Sequence, residues 1–125
     1  FYVDAPRSQR YPSRLLTPLY PDRADFIAVV GRFEDWRLTR AVKAGMAGAC
    51  AVPVRSINAP AAIPGVDFSD HQNYWHEGWN AVMVSDTAFY RSPNYHQATD
   101  HPESLDYRRM AEVVKGVYAA LVALD

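Results

Sequence analysis

The stretch "FIAVVGR", Phe26–Arg32, sets the tightest constraint on the fold, because it is a continuous apolar run closed by glycine. Such a run suits a strand covered on both faces, since a half-exposed strand alternates apolar with polar residues. Covering layers are then required, and the sequence offers helices to make them. Over Asp35–Ala47, Trp36, Leu38, Ala41, Val42 and Met46 recur at roughly helical spacing. Glu34 and Asp35 stand at the positive end of that helix, and Gly45 and Gly48 mark its close. A last helix runs from Asp106 to Leu124 with Met110, Val113, Val114, Val117, Leu121 and Leu124 as its apolar stripe. That stripe is expected on the sheet, so Val114→Asp is expected to cost several kcal/mol by burying an unpaired charge.

Two further strands are predicted. "ACAVPVRSI" supplies one over Ala49–Arg55, with Pro53 arguing for a sheet edge or a bulge. "NAVMV" supplies the other over Ala81–Val84, away from a solvent-exposed edge. Between them lie a proline-rich loop and a short helix that starts with Asp70 as N-cap and stops at Gly78. The first 25 residues hold four prolines and no steady period, which predicts an irregular connecting segment. Strands alternating with helices give an α/β layered sheet flanked by helices: one domain over 1–125, irregular to residue 25 and α/β from 26.

Composition narrows the partners. Apolar residues make up 49% and charged residues 22%, which excludes a disordered chain. The 13 basic and 14 acidic residues are mixed along the sequence, so no basic stripe exists to hold a nucleic-acid backbone. No apolar run approaches the ~20 residues that span a bilayer. Cys50 is the one cysteine, and its apolar setting reads as a buried thiol.

Chemistry concentrates in two loops. One is "FSDHQNYW", with Asp70 and His71; the other is "SDTAFYRSPNYHQATD", with Asp86, Tyr95, His96 and Asp100. Ligands of open α/β sheets collect beyond strand ends, and Asp86 and His96 both follow a predicted strand. A neutral imidazole ligates zinc well, with a neighbouring acid fixing its tautomer. The same residues also have plain structural readings: Asp70 and Asp100 as helix caps, Tyr95 as a half-buried aromatic, His76 and His101 as structural. No H-E-x-x-H, C-x-x-C, G-x-S-x-G or phosphate-binding glycine loop is present. Spacing alone therefore gives an α/β domain with a candidate site near His96.

The residues from Asp67 to about Leu121 resemble the C-terminal part of the zinc-dependent aminopeptidases of the M28 family. The resemblance is carried by Ser69-Asp70-His71, Gly78, Ala81-Val82-Met83, Asp86, Tyr95-His96, Asp100, Pro102-Glu103 and Leu105-Asp106-Tyr107, in that order. The earlier "YVDAPRSQRYPS" and "LYPDRADFIAVVGR" resemble, more loosely, the connecting segment of those enzymes. The resemblance implies a zinc-exopeptidase-like fold and hydrolysis of N-terminal residues from peptide substrates. It also implies two zinc ions in the complete enzyme, with His96 as the last metal ligand and Tyr95 near the oxyanion. Asp70, His71, Asp86 and Asp100 match positions that support the site rather than ligate. The family's secreted or periplasmic habit is the implied location.

The pattern then breaks off. None of the four histidines has aspartate two places on, and the only adjacent acids, Glu34-Asp35, stand in a different context. The H-x-D ligands and the base-bearing acidic pair of the family are therefore missing. The expectation is a C-terminal fragment that contributes one ligand, neither hydrolyses aminoacyl substrates nor binds zinc tightly alone, and self-associates through uncovered apolar surface. Glutaminyl cyclases share the fold and a similar ending, so a cyclase-type acyltransferase remains an alternative. A non-catalytic binding domain of the same fold is another.

Overall fold

The computed structural model describes all 125 residues, Phe1–Asp125. Its centre is strand β1, Ile27–Gly31, every residue of which is buried. Helix α1 follows over Trp36–Ala47, then strand β2 over Val54–Asn58, helix α2 over His71–His76, strand β3 over Met83–Ser85 and helix α3 over Tyr107–Leu124. The sheet order is β2-β1-β3. β2 runs parallel to β1 with Ile27 opposite Val54, and β3 runs antiparallel with Val29 opposite Val84. This is the layered α/β arrangement that the apolar run demanded.

The two faces of β1 support two separate clusters, as the period of two along a strand requires. Ile27 and Val29 join Val42, Met46, Val52, Val54 and Ala120 beneath α1 and α3. Phe26, Ala28 and Val30 face the other way, with Ala59, Val66 and Trp75. At roughly 25 cal/mol per Å² of apolar surface, these two layers are the main source of stability.

Three expected boundaries are corrected. β2 begins after Pro53, not at Ala49; Ala49–Pro53 is a connection. Proline has no N–H for the ladder, but its carbonyl is usable and accepts from the Ile27 N–H at 2.9 Å. The strand expected over Ala81–Val84 is shortened and shifted to Met83–Ser85 and lies at the second edge of the sheet, its residues half-buried. Only one strand of a three-stranded sheet can be central, and the continuously apolar β1 takes that place. Asp100 caps no helix: it is exposed in a turn, and the residue at the cap of α3 is Asp106. The Asp106 carboxylate accepts from the Arg109 N–H at 3.0 Å, and that bond, joined by the Arg109 side chain, holds its carboxyl below the usual range.

The stripe on α3 also needs correcting. Gly116 and Ala120 are buried, with Val113 and Val117 packed beside the core. Val114 is 67% exposed and Leu121 62%. The cause is a close helix crossing: α1 presents Gly45 to Ala120, and a Cβ on Gly45 would fall 2.6 Å from the Ala120 Cα. Small residues on both helices let the backbones meet, and this turns the bulkier side chains outward. Val114→Asp should therefore leave stability within about 0.5 kcal/mol of wild type, as measured by urea unfolding.

The first 25 residues form no strand or α-helix, as expected. They make one 3-10 turn at Arg14–Leu16 and return to the sheet through a bridge between Val3 and Ala24. Their consequence is local: they build one wall of the cavity described below. No helix is long and apolar enough to cross a membrane.

Candidate functional site

β3 ends at Ser85 and hands over to Asp86, whose carboxylate accepts from the Ala88 N–H at 2.9 Å. That bond supports a tight turn in which Thr87 and Ala88 both take positive φ, 71° and 44°. The chain then passes through a 3-10 turn, Ala88–Tyr90, and reaches Tyr95 and His96. His96 has φ 57°, a left-handed conformation uncommon outside glycine. This bend places its ring flat against Tyr95, with centroids 3.9 Å apart and 18° between planes. Tyr95 leans in turn on Phe89 at 5.9 Å. The left-handed bend, the stacked pair and the tilted contact with Phe89 thus fix the two rings.

The pair lines a cavity of about 590 Å³ together with Asp67, Phe68, Gln72 and Phe89. The two loops singled out in the sequence do meet here, but through neighbours of the residues expected. Asp67 and Gln72 reach the cavity, while Asp70 is exposed at the start of α2 with no side-chain capping bond. His71 turns inward: it is buried, donates from Nε2 to the Val66 carbonyl at 2.7 Å and meets the Trp75 ring edge-on at 4.4 Å. Its Nδ1 is buried without a partner. His71 therefore anchors α2 to the loop carrying Asp67. Asp100 lies outside the cavity, and His76 and His101 are exposed and outside it too. Cys50 is half-buried away from the site, and burial pushes its thiol up, which favours the unreactive protonated form.

Phe68, Phe89 and Tyr95 also line a second, larger space of about 790 Å³, so the two cavities adjoin across these three side chains. Its floor is the α2-side face of the sheet. The register sets Arg55, Ala28 and Ser85 in one row and Ile57, Val30 and Met83 in the next. Ala28 in the middle of the first row keeps the floor low. One wall is the proline-rich N-terminal segment, where Tyr20 donates to the Ser56 carbonyl at 2.8 Å and Tyr11 to the Pro21 carbonyl at 2.6 Å. Burial pushes the Tyr11 phenol up to about 12, with the charges of Arg91 and Arg55 pulling the other way. Sequence reasoning missed this groove. Its signals were the aromatic residues inside proline-rich loops and the two-residue alternation that puts Arg55 and Ile57 on one face of β2.

Metal-ligating side chains are sparse. The cavity at His96 offers one imidazole and one carboxylate, Asp67, and no group of three or more histidines, cysteines, aspartates or glutamates comes together anywhere in the chain. The residues present fit one corner of a metal centre, not a whole one, since a catalytic zinc takes about three protein ligands.

No family model matches the chain, and no solved structure matches it. Among curated proteins, it is 50% identical over 121 residues to the uncharacterized protein YfbL of Escherichia coli (strain K12). The match takes in 97% of this chain and 38% of the relative, so the chain spans well under half the length of the curated relative it matches.

Proposed function

We propose that this chain forms part of a metal-dependent exopeptidase of the M28 type, with His96 as one metal ligand and Tyr95 beside the reacting carbonyl. The observation that carries the reading is the Tyr95–His96 stack on the rim of a cavity that adjoins an apolar groove. The resemblance of Asp67 to Leu121 to the zinc aminopeptidases supports it. The remaining ligands and the general base come, on this reading, from outside these 125 residues. The relative's greater length leaves ample room for them.

Zinc in such a site activates water and polarises a peptide carbonyl. The residues of this chain have their own tasks. His96 presents an exposed imidazole to the centre from a backbone bend that cannot easily relax. Tyr95, half-buried and held by Phe89, has a phenol that donates to the oxygen where negative charge develops. His71 keeps Asp67 and Gln72 at the cavity by tying α2 to Val66. The groove takes the apolar part of the substrate. The secreted or periplasmic location belongs to the same proposal.

Tyr95→Phe tests the oxyanion role in the full-length protein. Removing a single donor is expected to lower kcat for a leucyl-anilide by about a hundredfold. KM and bound metal should stay unchanged, and an unaltered kcat would remove Tyr95 from the mechanism. Cyclisation of N-terminal glutamine in place of hydrolysis would instead mark an acyltransferase, and metal loss with neither activity a binding domain.

A further inference from the structure

The groove beside the Tyr95–His96 cavity is apolar along its floor yet carries charge at its rim, and that charge is unbalanced. Three charged residues line it: Arg10, Arg55 and Asp86. Asp86 is engaged, accepting from the Ala88 N–H and lying in the field of buried Arg91. Arg10 donates from Nη2 to the Phe89 carbonyl at 2.7 Å. Arg55 takes part in none of the chain's ion pairs. It is exposed on edge strand β2, on the same face as Ile57 and in register with Ala28 and Ser85. The floor row from Arg55 to Ser85 crosses two inter-strand gaps, about 10 Å. That is the length of roughly three extended residues.

We propose that the groove binds short peptides with apolar side chains and that Arg55 receives their terminal carboxylate. The inference rests on the peptidase reading and extends it to a substrate class: short free-acid peptides with apolar side chains. A guanidinium matches a carboxylate with two parallel N–H donors, which gives direction as well as attraction. The apolar floor binds side chains, and the charge at its far rim selects chains that end there. A longer peptide, or one whose terminus is amidated, loses that contact. Because Arg55 is exposed, its contribution is moderate and salt-sensitive.

The test uses the full-length protein and two probes, Leu-Gly-Phe and its C-terminal amide. The acid is expected to show a KM about tenfold below that of the amide at equal kcat. Arg55→Gln should raise the KM of the acid to that of the amide, and Arg55→Lys should restore part of the preference. Equal KM values for acid and amide, or an equal effect of Arg55→Gln on both, would overturn the proposal. Calorimetric binding of the same two probes separates this inference from the activity. An inactive protein that still prefers the acid in an Arg55-dependent way supports the carboxylate site while the peptidase reading falls. Laurate binding tighter than the peptide with the same Arg55 dependence would overturn a peptide occupant. A groove closed by association of copies, seen as a dimer in sedimentation that excludes both probes, would overturn it as well.

Discussion

His96→Ala in the full-length protein is expected to lower leucyl-anilide turnover by at least about a thousandfold. The magnitude follows from position: groups that merely support a metal ligand already cost ten- to a hundredfold when lost, and a ligand itself costs more. The fold should survive. His96 is exposed, and its ring packs on Tyr95 alone among the aromatic contacts. The one structural concern is the left-handed φ of 57°, which alanine tolerates less well than histidine. His96→Asn separates the two effects, since asparagine accepts that conformation readily. Equal loss of turnover in both variants, with unfolding midpoints close to wild type, would assign the loss to the imidazole.

The largest stability effect is expected at a residue where helix propensity points the wrong way. Gly45 lies inside α1, where alanine is ordinarily favoured by about 1 kcal/mol. Here a Cβ would stand 2.6 Å from the Ala120 Cα and 3.1 Å from its Cβ. Backbone is what it meets, so relief requires α3 to move off α1, opening the layer that contains Met46 and Val29. Gly45→Ala should therefore destabilise by roughly 2–3 kcal/mol, within the usual cost of overpacking. Gly48, one turn on, is the control. Only its own helix's carbonyls lie near a Cβ there, at 3.7 Å, and its φ of −73° suits any residue. Gly48→Ala should be neutral or stabilising by a few tenths of a kcal/mol. Urea denaturation of both variants reads the contrast directly.

The parts of the fold legible in the sequence are those set by local patterning. β1 shows itself because a strand buried on both faces cannot carry polar residues, and α1 because Leu38, Val42 and Met46 keep helical phase, although Trp36, expected with them, is exposed. What α3 buries was not legible from hydrophobicity. Glycine and alanine read as weak apolar positions, yet Gly116 and Ala120 make the contact, Ala120 against Gly45 and Gly116 against Met46 and Cys50. A one-dimensional pattern shows which side chains are greasy, not which backbones approach. Pro53 does mark a sheet edge, since β2 is an outer strand, but the strand begins only after it, and its carbonyl serves the sheet even though its nitrogen cannot.

The candidate site was legible to a similar degree. Tyr95 and His96 stand out as a ring pair in a polar loop, and the structure sets them side by side on a cavity. The partner loop was also identifiable, but its facing residues were not. In the short helix after Asp70, the side chain at 71 turns to the core and the one at 72 to the cavity, and only the packing of Trp75 decides that phase. The groove was invisible because it is assembled from three separate segments. Arg55, Tyr11 and Phe89 are far apart in sequence and converge only once the sheet and its loops are in place.

The claim that His96 is a metal ligand is tested most directly by calorimetric zinc titration of the full-length protein, its His96→Ala variant and a His101→Ala control. His101 is exposed and lies outside the cavity, so it reports on adventitious imidazole binding. The account predicts tight binding by the wild-type and His101→Ala proteins, with affinity weakened at least about a hundredfold for one ion in His96→Ala. Three superimposable isotherms would contradict it.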